Sequence, residues 1–212
     1  MGFAIQRPRS PSYFRRTCLV LKAWIQQPFQ VASVCPSSTY LTEAIADRHC
    51  IRSANVVVEL GPGAGDTTLA LLKRMGPNSR LLAIEKSPEL AEATREIDDP
   101  RLTTVHGDAS ELIDILAQQN ISCVDVVVSG IPFSALPTGT AKRITRSIHH
   151  VLSPGGTFIA YQLREDIRSF ARPLFGPAKT QSVAFNLPPL QVYSWTKIIN
   201  DQAETASIAI NT

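Results

Sequence analysis

Glu59-Leu60-Gly61-Pro62-Gly63-Ala64-Gly65-Asp66 follows a β-branched run, residues 55–60 (NVVVEL), and opens a helical stretch over about 66–74. Glycines at alternate positions directly after a strand let the backbone pass close under a ligand and turn into a helix. Two phosphate-binding motifs compete for such a loop. A P-loop ends in Gly-Lys-Ser/Thr, whereas Gly65 is followed by Asp66-Thr67-Thr68; the dinucleotide fingerprint needs Gly or Ala at position 66, again Asp66. An acid at a helix N-terminus repels a pyrophosphate seated there. The ligand therefore does not lead with phosphate. An adenosine carrying a cation fits better, because Glu59 and Asp66 favour positive charge; Asp66 reads equally well as a cap of its helix.

Further strands are expected over 81–84, 102–105, 124–128 and 157–162, with helices after the loop, after Ser87-Pro88-Glu89, over 111–119 and over 140–152. Pro88 stands where a first-turn proline is tolerated. Residues 180–186 and 191–197 read as a closing antiparallel pair around Pro188-Pro189. Alternating strands and helices imply a parallel sheet covered on both faces, with ligands outside the carboxyl ends of its strands. Those ends carry Glu85, 20 residues after Gly65, then Asp108 and Ser129-Gly130. Glu85 is placed to accept both ribose hydroxyls, and Asp108 to accept from an adenine amino group. Lys86 and Ala109 adjoin these acids and join the expected cofactor contacts, with Glu59, Gly61, Gly63, Gly65 and Ser129. The plainer readings are a solvated strand-end acid for Glu85 and a helix N-cap for Asp108.

Over about residues 34–197 the chain resembles the class I S-adenosylmethionine-dependent methyltransferases. Glu59 through Gly65 match the family's glycine loop, Glu85 its ribose acid and Asp108 its adenine-contacting acid. The resemblance implies a Rossmann-like α/β fold, a mostly parallel seven-stranded sheet with helices on both faces, and S-adenosyl-L-methionine as cofactor. Ribosomal RNA adenine dimethylases share the E-L-G-P-G-x-G opening. They carry Asn-Leu-Pro-Tyr after the fourth strand, where this chain has Ser129-Gly130-Ile131-Pro132-Phe133, and they add a basic RNA-binding domain. The chain is more similar to bacterial phospholipid N-methyltransferases, through Cys35-Pro36-Ser37-Ser38 before a helix, the 129–133 segment, Leu152-Ser153-Pro154-Gly155-Gly156 and Asn186-Leu187-Pro188-Pro189. This implies methylation of a lipid primary amine, with phosphatidylethanolamine first and ornithine lipid as the alternative. An RNA or small-molecule N-methyltransferase and a non-catalytic cofactor-binding module are the other readings.

For the amine, the carbonyls and hydroxyl of Ser129-Gly130 are the expected acceptors. Phe133, Tyr161 and Tyr40 are candidates to line the pocket, against core packing as the plainer role. Arg164 or Arg168 is a candidate for the lipid phosphate, against a solvated surface role; His149 and His150 read as helix-end cations.

Composition sets the frame. The 212 residues are 44% hydrophobic and 18% charged, with a mean hydropathy of +0.02, values that exclude a disordered or collagen-like chain. The net charge of +3 divides unevenly: Arg7, Arg9, Arg15, Arg16 and Lys22 precede the first acid, Glu43, and the remainder sums to −2. Ser12 is placed to cap a helix over about 13–27, whose Phe14, Cys18, Leu21 and Ile25 share one face beside Tyr13, Val20 and Trp24. An apolar aromatic face with flanking cations suits an anionic membrane surface. Packing on the body and an organelle transit peptide are the competing readings. Domains are thus read as a basic leader and amphipathic helix at 1–33, a methyltransferase domain at 34–200 and a frayed tail at 201–212. Cys18, Cys35, Cys50 and Cys123 lack metal or redox spacing, so no metal is expected. A body at −2 gives no footprint for nucleic acid. No apolar run approaches the ~20 residues that span a bilayer. The expected place is the cytoplasm, peripheral to the inner membrane.

Overall fold

A computed structural model describes residues 38–183 and 190–198. The leader and amphipathic helix at 1–33, the Cys35-Pro36 step, the Asn186–Pro189 turn and the 201–212 tail lie outside these residues. Ser38 caps α1 (Thr39–Ala46), its hydroxyl accepting from the Leu41 N–H at 3.2 Å, and a one-turn α2 (His49–Arg52) follows. Then come β1 (Val56–Leu60), α3 (Asp66–Arg74), β2 (Arg80–Glu85), α4 (Pro88–Arg95), β3 (Leu102–His106) and α5 (Leu112–Gln118). The chain closes with β4 (Val124–Ser129), α6 (Thr138–Val151), β5 (Leu152–Gln162), α7 (Asp166–Phe175), β6 (Lys179–Val183) and β7 (Leu190–Thr196).

The described strands form one seven-stranded sheet in the order β3-β2-β1-β4-β5-β7-β6. β1 to β5 run parallel, and β7 is antiparallel to both β5 and β6. Side chains alternate across a strand, so Val127 of β4 enters one core and Val126 and Val128 the other, while a register shift between Val124 and Val126 puts Val124 on the side of Val127. The first core is closed by α5, α6 and α7 through Leu112, Ile144 and Ile167. The second is closed by α1, α2 and α3 through Leu41, Ile51 and Leu71. This is the expected Rossmann-like α/β arrangement with helices on both faces.

Two stretches differ from the reading of the sequence. β5 begins at Leu152, directly after α6, and carries Ser153-Pro154-Gly155-Gly156 within the strand, where a break was expected. Pairing with the far end of the chain holds it: Gly155 N–H donates to the Lys197 carbonyl, and Lys197 N–H to that of Gly156. α7 was not expected. It encloses Pro173 near its C-terminus, where the ring has no N–H to give the Ser169 carbonyl.

Candidate active site

The strand order reverses beside β1, which pairs β2 on one side and β4 on the other. In open α/β sheets ligands bind at this switch, outside the carboxyl ends. The loops leaving β1 and β4 meet there. Gly61 has φ +71°, and a Cβ on it would lie 3.3 Å from Ile131; Gly130 N–H donates to the Leu60 carbonyl at 2.9 Å. Gly63 and Gly65 also have positive φ, +61° and +89°, and a Cβ on Gly63 would point into open space. Only residues without a Cβ adopt three such conformations in succession at low cost.

Acids surround the loop. Glu59 is fully buried; its Oε2 accepts from the Thr68 hydroxyl at 2.6 Å, while Oε1 has no hydrogen-bond partner among the described residues. Burial pushes its pKa up to about 8, the Thr68 bond opposing and the Glu85 and Asp66 charges adding to the rise. Glu85 is 8% exposed, and its two oxygens accept from Gly63 N–H at 3.1 Å and Ser87 N–H at 2.9 Å. Burial raises its pKa against those backbone donors. Asp108 is the N-cap of the short turn Ala109–Glu111, accepting from Ser110 N–H at 2.8 Å, and its other oxygen pairs with Lys86 at 3.0 Å. Burial alone raises the Asp108 pKa, but the Ser110 and Lys86 bonds hold it below the usual range. Ala109 is buried beneath this turn.

The expected substrate residues separate. The Ser129 hydroxyl is fully buried and accepts from Ile131 N–H at 3.3 Å. The Phe133 ring is 1% exposed and tilts against Phe170 at 6.4 Å, so it is core rather than an open wall. Tyr161 is likewise buried, with Thr67 beside its hydroxyl. Burial, and then the Glu59 charge, raise its pKa. Tyr40, in the first turn of α1, is 59% exposed. Arg164 and Arg168 pair with Asp166 and Glu165 on the surface, and His149 and His150 stand in the last turn of α6.

Gln162 is the functional candidate that the sequence reading missed. It is 3% exposed at the last position of β5. Its Nε2 donates to the Ile131 carbonyl at 2.6 Å and its Oε1 accepts from Phe133 N–H at 3.2 Å. A polar residue ending the apolar run Ile159-Ala160-Tyr161 at a carboxyl edge was the available signal.

The loops at the switch are thus flanked by acids and rich in glycine, and one buried Glu59 oxygen has no partner among the described residues, chemistry that fits a cationic, hydroxyl-bearing nucleoside. The fold is that of a Rossmann-like α/β protein. A family model described as a methyltransferase domain matches residues 57–156. The ornithine lipid N-methyltransferase of Singulisphaera acidiphila is 32% identical over 180 residues, 82% of this chain and 93% of that protein. The chain belongs to the class I S-adenosylmethionine-dependent methyltransferases, and S-adenosyl-L-methionine is its cofactor. The ribosomal RNA small subunit methyltransferase H of Azoarcus sp. is 34% identical over 106 residues, but the match spans only 34% of that protein. The O-methyltransferase TomG of Streptomyces achromogenes, solved with its cofactor, shares the fold with a TM-score of 0.63 at 12% identity, covering 91% of this chain and 92% of that one. Among the described residues no group of His, Cys, Asp and Glu is suited to a metal, and no helix is long and apolar enough to cross a membrane.

Glu59 makes the cofactor-free fold sensitive to pH. Its folded pKa of about 8 lies above the ordinary value of 4.5, so its contribution is fully present below about pH 4.5 and is lost as pH rises through about 8. Glu59→Gln is therefore expected to raise the melting temperature of the cofactor-free protein above about pH 8 and to change it little near pH 5. Scanning calorimetry at the two pH values checks this.

Proposed function

We propose that this enzyme transfers the sulfonium methyl of S-adenosylmethionine to the primary amine of a lipid headgroup at a membrane surface, ornithine lipid and phosphatidylethanolamine being the two candidates. The observation that carries this reading is the likeness to the Singulisphaera ornithine lipid N-methyltransferase, which extends over nearly all of that protein. The segment after β4 supports it, since Ser129-Gly130-Ile131-Pro132-Phe133 offers no side-chain amide to read an adenine.

Glu85 and the Glu59–Gly65 loop hold the cofactor in this reading, with Asp108, Lys86 and Ala109 beside the adenine. Bound there, the cofactor supplies an electrophilic methyl group. The protein's part is to deliver a neutral amine in line with it. An alkyl amine with an ordinary pKa of ~10 is mostly protonated at neutral pH. Removal from water disfavours the ammonium form, and a carbonyl acceptor fixes the nitrogen as it approaches. In the segment after β4, the Ile131, Pro132 and Phe133 carbonyls already accept from Gln162, Ala135 and Leu136. Among the carbonyls of this segment we choose that of Gly130 for the amine; Ser129 holds the turn through its hydroxyl.

Membrane contact is assigned to the basic segment over 13–27, and with it a place at the inner face of the cytoplasmic membrane. Each Lys or Arg near an anionic leaflet contributes ~1 kcal/mol, so its cations give a reversible grip. Two measurements test the reading. Mixed vesicles of phosphatidylethanolamine and ornithine lipid, incubated with enzyme and cofactor, identify the headgroup through its gain in methyl mass. Removal of residues 1–27 is expected to abolish pelleting with anionic vesicles, and unchanged pelleting contradicts the assignment of the arm.

A further inference from the structure

Consecutive residues on a strand face opposite sides of the sheet, and the last two residues of β5 use both sides on the same loop. Tyr161 belongs to the core beneath α1 and α3, and its hydroxyl is the nearest atom to the place where a Cβ on Gly130 would stand. Gln162 turns the other way, to the side of Phe133, whose ring belongs to the opposite core. Its amide bonds the Ile131 carbonyl and the Phe133 N–H at 2.6 and 3.2 Å. The 130–133 segment is therefore gripped from both faces by the end of a neighbouring strand.

We infer that Gln162 is a positioning residue for methyl transfer: by occupying the Ile131 carbonyl and holding Phe133 N–H, it fixes the turn so that the Gly130 carbonyl is presented to the substrate amine. The inference rests on the lipid-amine reading for the identity of the substrate, but the clamp itself concerns this chain alone. Gln162 is buried, and both ends of its amide are used, so no simpler side chain replaces it. Methionine has similar length and volume yet neither donates nor accepts a comparable bond. Protonated glutamate does both, its hydroxyl donating to Ile131 and its carbonyl oxygen accepting from Phe133; ionised glutamate repels the Ile131 carbonyl.

Displacement of a reacting group by about 1 Å costs on the order of 100-fold in rate. Gln162→Met is expected to lower kcat by roughly 30- to 100-fold on detergent-dispersed lipid amine, with the calorimetric Kd for S-adenosylmethionine within about 2-fold of the parent. The Phe133 amide, read by NMR exchange, should exchange at least about 10-fold faster. The activity of Gln162→Glu divided by that of the parent at the same pH should rise as pH is lowered and fall as pH is raised, the division removing the titration of the substrate amine that both share. Unchanged kcat in Gln162→Met, or a loss of cofactor affinity as large as the loss of kcat, overturns the inference. If Gln162→Met does not fold, the ratio of Gln162→Glu to parent activity across pH decides, and a flat ratio overturns the inference. If the parent methylates no lipid amine, the lipid reading fails, while unaltered Phe133 exchange in the variant still refutes the clamp.

Discussion

Gly130→Ala is expected to abolish methyl transfer, with kcat reduced on the order of 1000-fold or the protein recovered in poor yield. A Cβ at this position would stand 2.7 Å from Tyr161 Cζ and 2.8 Å from the Gly61 carbonyl oxygen, and closer still to the Tyr161 hydroxyl. None of these atoms can retreat cheaply. Tyr161 is 6% exposed in a packed core, and Gly61 belongs to the loop that lies beneath the cofactor in our reading. The added methyl must therefore push the β1 and β4 loops apart, separating the groups assigned to cofactor and amine. Tyr161→Phe in the same chain removes the nearest contact but leaves the ring carbon and the Gly61 oxygen, so it should rescue only part of the loss. Circular dichroism separates loss of fold from loss of rate. Parental kcat in Gly130→Ala would show that the two loops need no such approach.

The second large effect is expected at Glu85. Its carboxylate ties Gly63 on the glycine loop to Ser87 at the start of α4, and each oxygen keeps a lone pair for a ribose hydroxyl. Hydrogen bonds to a charged group contribute ~1.5–3 kcal/mol each. Glu85→Ala should thus weaken S-adenosylmethionine binding on the order of 100-fold, given ~1.4 kcal/mol per tenfold. Glu85→Gln should cost less, about 10-fold, because one oxygen survives while the amide meets a backbone N–H. Calorimetric titration reads both. Unaltered affinity in Glu85→Ala places the ribose elsewhere.

Why the placement of these residues was legible in the sequence, and the contacts of Gln162 were not, follows from the range of the interactions. The β1 loop announces itself locally: a β-branched run, glycines at alternate positions and a helix start lie within a single turn of chain. Glu85 and Asp108 follow the same local rule, an acid where an apolar strand stops. β5 could not be read from its own residues, because the ladder through Gly155 and Gly156 is completed by Lys197, 41 residues away from the nearer glycine. α7 was hidden by Pro173, because a proline within a run argues against a helix. An aromatic at a strand end looks the same whether it faces a pocket or a core. Phe133 and Tyr161 are packed by neighbours distant in sequence, Phe170 for one and the core beneath α1 and α3 for the other. Gln162 finds its partners at Ile131 and Phe133, across the sheet, and nothing local marks it beyond its polarity.

The central claim is that the acceptor is a lipid amine. It is tested most directly by incubating the full chain with labelled S-adenosylmethionine and, side by side, ornithine lipid, phosphatidylethanolamine and ribosomal RNA. Label on the headgroup nitrogen of one or both lipids, with none on RNA, is the expected result. Label on RNA with both lipids unmethylated would contradict it.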